Sequence, residues 1–372
     1  MGYGEFMRSA IVTATDSKYL PAACCALLSC VGDGEAEAHA NLFLLACDVN
    51  VEDTKKAESF LRSRGVAAEI IAIAADRFSP FRIDGYVSAS TYARLLLPEF
   101  FDNNWDRLLY VDADARVMVP LQPLLEADLR GRPVGAIHDY LQYLIYGIEG
   151  SRKRLGLRSD ASYFNAGIIC FDWRATIASG LLEKAKAFAV ENPHLCNSHD
   201  QDALNKAFEG AWTPIDPRWN FMTVAVPDDV LRLVYPARFR PYIAHFAGPV
   251  KPWKAGFPAR YEDHRAWYRN LLCDSPWPDF AASANAQLDK MPEPSRGDRL
   301  RGWISTQRRK LRANLKRLSG RAANTAQVRR NEARRKSHRS EASADGHANP
   351  ELEHLFDEMV SEAAETDAAI AQ

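Results

Sequence analysis

The sequence predicts an α/β protein, a parallel sheet wrapped by helices, and three observations carry that reading. Short apolar runs of strand length alternate with helical stretches from residue 9 onward, the order that builds βαβ units. One of these runs, Leu108 to Val111, ends in two carboxylates, Asp112 and Asp114, and strand ends of open α/β sheets are where ligands bind. No G-x-G-x-x-G follows the first strand, which argues against a dinucleotide-binding domain of the usual kind.

The elements follow in order. Ser9 to Thr15 reads as a buried strand followed by Asp16, and a helix runs from Tyr19 to Val31 through Cys24, Leu27 and Leu28. Asn41 to Cys47 is a second strand ending at Asp48, Val51 to Arg64 an amphipathic helix closed by Gly65, and Ala68 to Ile73 a third strand. Ser88 to Leu97 starts with cap residues and continues as a helix that Pro98 stops. Arg94 inside it is either a surface arginine or a guanidinium aimed at a phosphate or carboxylate. After the central strand, Val134 to His138 reads as another strand and Arg152 to Arg158 as a basic loop or helix end. Tyr163 to Phe171 is an apolar strand entered through Asn165-Ala166-Gly167, where a glycine lets the backbone pass close to a ligand. A helix is expected from Trp173 to Val190, and Ser198 to Asn205 reads as a helix start with Asp200, Gln201 and Asp202 in its first turn; acids there also complement the helix dipole. Residues 212–219 are Pro-rich without a regular period, and Tyr242 to Trp253 is a strand ending in His245, then a Gly248-Pro249 turn carrying Lys251 and Trp253.

Alternate residues of a strand point to one side, so an extended geometry past Val111 aims Asp112 and Asp114 the same way. Two like charges held close call for a cation between them, and an oxygen-preferring divalent ion, Mn²⁺ or Mg²⁺, suits them. Aspartates capping the following turn are the alternative. His245 is either a structural strand-end histidine or a third metal ligand, since imidazole also suits Mn²⁺.

Of the 372 residues, 47% are apolar and 10% aromatic, enough for a globular core. The seven cysteines include no C-x-x-C pair, so reduced, buried thiols in a cytosolic protein are expected. No apolar run reaches the length of a membrane span and no signal-peptide pattern opens the chain; a cytoplasmic protein, soluble or peripheral on the inner face of a membrane, is expected. The net charge of −1 hides an asymmetry: residues 296–340 carry 16 Lys/Arg and two acids, residues 341–372 carry nine acids and no Lys/Arg, and the first 295 residues stand at −6. The chain therefore divides into an α/β domain over 1–270, a Pro-rich linker over 271–295, a basic helical segment over 296–340 and an acidic tail over 341–372. Within the basic segment Leu300, Ile304, Leu311, Leu315 and Leu318 share one helical face, the pattern of a helix lying on an anionic membrane surface; a solvated or disordered basic tail is the alternative.

Three motifs occur in order: Tyr110-Val-Asp-Ala-Asp114, Asn165-Ala-Gly167 followed by Asp200-Gln-Asp202, and His245-x-x-Gly248-x-x-Lys251-Pro-Trp253. Together, with Thr91-Tyr-Ala-Arg94 ahead of them, they resemble the family-8 retaining glycosyltransferases, above all the bacterial lipopolysaccharide galactosyl- and glucosyltransferases. The resemblance covers residues 8 to 270. It implies a glycosyltransferase A-type fold, a single nucleotide-binding α/β domain, here with a C-terminal helical tail. It implies Mn²⁺, a UDP-hexose donor (UDP-glucose or UDP-galactose) and a saccharide or glycolipid acceptor. Asp112, Asp114 and His245 match the positions that hold the metal, Gly248 and Lys251 those that meet the diphosphate, and Ala14, Asp16 and Tyr19 those that receive uridine. Lys18 departs from the small polar residue expected between the last two. Arg94, Asn165, Asp200 and Gln201 match positions around the donor sugar and phosphates, with Gln201 or Asp200 steadying the developing cation in a front-side reaction.

Two rivals remain at this point. Asp112-x-Asp114 also resembles haloacid-dehalogenase-type phosphatases, but there the motif lies on the first strand and continues into a Thr-containing turn, whereas here Ala115-Arg116-Val117 follows. The other is a sugar-nucleotide fold serving as a nucleic-acid or membrane binding module without transferase activity. The basic stretch has one aromatic, Trp303, so stacking platforms for nucleic acid are lacking.

Overall fold

The computed structural model describes residues 7–31, 40–84, 87–143, 147–223, 240–254, 257–258 and 261–285. The basic segment and the acidic tail expected from the sequence lie outside the described residues.

The main sheet has the order β3-β2-β1-β4-β7-β6-β8. Its strands are β1 (Ser9–Thr15), β2 (Ala40–Cys47), β3 (Ala68–Ile73), β4 (Arg107–Val111), β6 (Val134–His138), β7 (Phe164–Asp172) and β8 (Trp212–Pro214). A second sheet, β5-β10-β9, joins β5 (Ala115–Val117), β10 (Ile243–His245) and β9 (Phe221–Met222). The central strands of the main sheet are buried on both faces, whereas edge strand β3 is half-exposed. Val12, Leu108, Tyr110, Ile169 and Phe171 pack into one cluster, and their neighbours Ile11, Leu109, Val111, Ile168 and Cys170 pack into another on the opposite face. This is why the strands read as continuous apolar runs.

The sheet is mixed rather than wholly parallel. β1, β2, β3 and β4 run together, but β7 is antiparallel to both β4 and β6. A parallel return requires a crossover helix packed on the sheet face. The helix between β6 and β7, Ile148–Leu155, instead buries Ile148 and Leu155 against Tyr163 in a small separate cluster, so the chain reverses.

Other elements differ from expectation for local reasons. The helix expected over 173–190 is two helices, Trp173–Ser179 and Leu181–Glu191, divided at Gly180, whose φ of +60° ends the first in a left-handed cap. The segment after Ser88 is a 3-10 helix, Ala89–Glu99, with Pro98 inside its last turn. The Pro-rich passage contains β8, an edge strand paired with β6, the position where a strand tolerates Pro214. Arg152 and Arg154 belong to the helix Ile148–Leu155. All seven cysteines are free, and five, including Cys24 and Cys25, are buried. No helix among the described residues is long and apolar enough to cross a membrane.

The chain stays folded past residue 270. Helix Glu262–Leu272 is followed by helix Pro278–Asn285 inside the stretch expected to be linker. Trp277 meets Phe60 edge-on with ring centroids 5.3 Å apart, and Phe280 lies 5.6 Å from Trp253. Replacing half-buried Trp277 by Ala is expected to lower the unfolding free energy by about 1–3 kcal/mol. Urea unfolding measures this; an unchanged midpoint would place the end of the cooperative unit before residue 277.

Candidate active site

The carboxyl ends of β1 and β4, the start of β7 and the end of β10 meet at one edge of the main sheet. Asp112 follows Val111, and its N–H donates to the Gly167 carbonyl at 2.8 Å. The chain does not stay extended beyond it; it turns through Ala113 and Asp114 into β5. β5 pairs antiparallel with β10 so that Ala115 faces His245. The two carboxylates are therefore brought together by a turn and a second sheet rather than by strand alternation. His245 Nε2 lies 3.3 Å from Asp114 Oδ1 and 3.6 Å from Asp112 Oδ2. Asp112, Asp114 and His245 each offer a ligand atom within 4.8 Å of the others. The donor set, two carboxylates and an imidazole, fits Mn²⁺ or another divalent ion.

Four further groups hold this cluster in place. Arg94 is buried, not a surface side chain: Nη2 donates to Asp112 Oδ1 at 2.7 Å, Nε lies 3.0 Å from Asp200 Oδ2, and Nη1 donates to the Ala166 carbonyl. Asp200 also accepts from Thr91 Oγ1 at 2.5 Å, so this carboxylate is committed to protein partners. Lys251 Nζ donates to Asp114 Oδ2 and to the Phe246 carbonyl. Gly167 leaves room for the cluster: a Cβ there would stand 2.2 Å from His245 Cε1 and 2.9 Å from Asp112 Oδ2. Burial raises the Asp112 pKa above the ordinary carboxylate range, against the pull of Arg94. Burial raises Asp114 as well, but Lys251 and His245 outweigh it and hold that carboxyl below the ordinary range.

Behind the cluster runs a chain of amides that sequence reasoning missed apart from Asn165 and Gln201. Asp139 accepts from Gln201 Nε2 at 2.8 Å and from Asn165 Nδ2 at 3.3 Å. Asn165 Oδ1 accepts from Gly167 N–H and from Asn220 Nδ2, each at 2.9 Å. Asn220 Oδ1 is 2.8 Å from His245 Nδ1. Because Asn220 donates through its nitrogen, its oxygen accepts from His245 Nδ1–H, which leaves Nε2 with a lone pair toward the carboxylates. Gln201 Oε1 accepts from Ala166 N–H at 3.0 Å, so its amide is pinned at both ends. Asn220 had no signal beyond a Pro-rich passage, and Asp139 followed an ordinary strand. His199, just before Asp200, has φ +52° and pairs with Asp84 at 2.9 Å; backbone strain of this kind gathers at functional sites.

The expected nucleoside positions lie alongside. Asp16 Oδ1 accepts from Tyr19 N–H at 3.0 Å, and Asp16 lines a cleft of about 400 Å³ with Cys47, Asp48 and Ser79. The Ala14 side chain turns into the apolar core, so only its backbone can face that edge. Gly248 takes φ +91° in the turn before Lys251, a conformation that favours glycine.

A mixed α/β sheet with this cluster at its carboxyl edge is the fold of a glycosyltransferase of the A type. The crystal structure of the galactosyltransferase LgtC in complex with donor and acceptor sugar analogs superposes with a TM-score of 0.59, at 24% identity, over 77% of this chain and 99% of that one. The family model for glycosyl transferase family 8 matches residues 10–256, and the chain belongs to that family. It is similar to General stress protein A of Bacillus subtilis, 26% identical over 268 residues, 69% of this chain and 92% of the relative. It is also similar to the lipopolysaccharide 1,3-galactosyltransferase of Salmonella typhimurium, 22% identical over 239 residues, 61% of this chain and 66% of the relative.

Replacing Asn220 by Ala frees the His245 tautomer and is expected to weaken Mn²⁺ binding by about 10–100-fold. Isothermal titration of Mn²⁺ into each protein measures this, and equal affinities would remove Asn220 from the support of the cluster.

Proposed function

We propose that the protein is a retaining hexosyltransferase that moves glucose or galactose from a UDP-sugar to a saccharide or lipopolysaccharide-type acceptor, with Mn²⁺ held by Asp112, Asp114 and His245. The single observation that carries this is the three-residue ligand cluster with Lys251 against it, at the carboxyl edge of a family-8 chain. Relatives named lipopolysaccharide 1,3-galactosyltransferase and 1,2-glucosyltransferase support the choice of hexose and acceptor class.

The residue chemistry suits sugar transfer. Breaking the anomeric C–O bond leaves an oxocarbenium-like centre on the sugar and expels a diphosphate that gathers negative charge. A divalent ion supplies Lewis-acid stabilisation of that charge. Lys251 adds a fixed ammonium from the protein itself, and preorganised charge of this kind contributes most where charge develops. Such a leaving group does not call for the carboxylic acid that hydrolases use. Between the two residues expected to steady the cation, the geometry favours Gln201. Asp200 is bound by Arg94 and Thr91, whereas the Gln201 carbonyl oxygen is held rigid with a second lone pair available. A pinned carboxamide is a poor nucleophile, which favours the front-side route. Arg94 fixes the orientation of Asp112 and lies against Asp200.

Turnover of a panel of UDP-sugars with Mn²⁺ tests the reading, and a nucleic-acid gel shift without turnover would favour the binding-module alternative. Asp112→Ala, Asp114→Ala and His245→Ala are each expected to lower Mn²⁺-dependent transfer by at least about 100-fold. If His245→Ala keeps the wild-type metal dependence, the three-ligand assignment is wrong. Proton NMR of the anomeric signal early in the reaction should show an α-linked product from an α-linked donor; a β product would sink the retaining assignment.

Residues 300–318 are proposed to bring the enzyme to anionic lipid, where a glycolipid acceptor resides. Each Lys or Arg near such a surface contributes about 1 kcal/mol. Co-sedimentation should be strong with anionic vesicles and fall with salt, and equal pelleting with neutral vesicles would refute an electrostatic anchor.

A further inference from the structure

Three ammonium groups converge on one aromatic ring at the edge of the site. The Nζ atoms of Lys254, Lys251 and Lys18 lie 5.6, 5.9 and 6.0 Å from the centroid of the Tyr19 ring. Lys254 Nζ is also 3.4 Å from Tyr19 Oη. The ring is placed by Tyr19 N–H on Asp16 and by the edge of Trp253, centroids 6.0 Å apart. Lys251 has its own counter-charge in Asp114. Among the described residues, neither Lys18 nor Lys254 has a carboxylate within ion-pair distance. The face of one tyrosine offers only a weak attraction to each cation, while the ammonium groups repel one another. Burial, then Lys251, then Lys18, pushes the Lys254 pKa down, the direction that like-charge crowding produces. Lys18 is exposed and Lys254 half-buried, so both can be reached from solvent. An arriving polyanion relieves this arrangement, and the cations lie between the end of β1 and the carboxylate cluster.

We propose that Lys18 and Lys254 form a second cationic clamp, additional to Lys251, for a diphosphate, and that this is the diphosphate of the nucleotide donor. The donor assignment rests on the nucleotide-sugar reading above. Lys18 stands where a small polar residue was expected to meet the nucleoside, so this chain draws more of its donor affinity from phosphate and less from the nucleoside.

The test is isothermal titration of the full chain in Mn²⁺ buffer with UDP, uridine and inorganic pyrophosphate, at low and high salt, comparing wild type with K18Q/K254Q. Equal melting temperatures establish that the variant is folded; K18Q and K254Q singly serve if the double variant is not. UDP and pyrophosphate affinity are expected to fall about tenfold in the double variant. Uridine binding should be unchanged and the salt dependence of UDP binding should flatten. Equal UDP affinity in wild type and the double variant overturns the clamp while leaving the nucleotide-sugar reading intact. Wild type that binds pyrophosphate through these lysines but no UDP would sink that reading and leave the diphosphate clamp standing. A loss seen only for pyrophosphate added over saturating UDP overturns the donor assignment and gives the pair to a phosphate-bearing acceptor.

Discussion

Negative charge gathered in a small, mostly buried volume is the constraint from which the rest of this edge follows. Asp112 and Asp114 share one imidazole, Asp200 lies one guanidinium away, and Asp139 stands behind them, with Asp139 and Asp200 only 4% and 3% exposed. Two unit charges 4 Å apart repel by about 4 kcal/mol in the effective dielectric near a protein surface, so each carboxylate needs its own answer. Asp112 and Asp200 share Arg94 from the 3-10 helix, Asp114 takes Lys251 from the turn after β10, and Asp139 is solvated by amides. Every one of these partners comes from a different part of the chain. The fold of the site is in this sense a solution to charge placement, and its elements are irregular where the partners are delivered.

The amide chain adds direction to that balance. Asp139, by accepting from Asn165 Nδ2, sets which end of Asn165 faces it. Asn165 then presents oxygen to Gly167 and Asn220, and Asn220 presents oxygen to His245. A carboxylate two amides away thereby decides which imidazole nitrogen keeps its lone pair toward Asp112 and Asp114. Buried polar networks of this sort are rigid only when every member is satisfied.

Much of this was legible in the sequence because the signals were local. The boundaries of β1, β4 and β6 follow apolar runs buried on both faces and those of edge strand β3 a shorter, half-exposed one, and the carboxylate pair, Arg94, Gly167, His245 and Lys251 all stand within recognisable motifs. What was not legible depended on tertiary context. Strand–helix–strand spacing is the same whether the helix crosses the sheet or reverses the chain, so the antiparallel run of β7 could not be seen. Nor could the turn at 113–114, since local alternation gives the same convergence of side chains. Asp139 and Asn220 acquire meaning only through partners far along the chain. The folded stretch after Ser275 looked like a linker because its prolines were visible and the aromatic faces that receive Trp277 and Phe280 were not.

The reversal of β7 bears on how this protein tolerates change. In an antiparallel neighbour the first residues lie beside the last residues of β4, so Asn165, Ala166 and Gly167 reach the site without any loop to carry them. Loops absorb insertions at little cost; a strand that supplies the site from its own first residues cannot, because a slip of one residue sends every side chain to the opposite face. It would also put Ala166 or Ile168, each with a Cβ, into the space beside His245 that glycine leaves open. The start of β7 should therefore vary in length far less than the connections around it, and a designer altering acceptor preference has freedom in those connections that β7 does not grant.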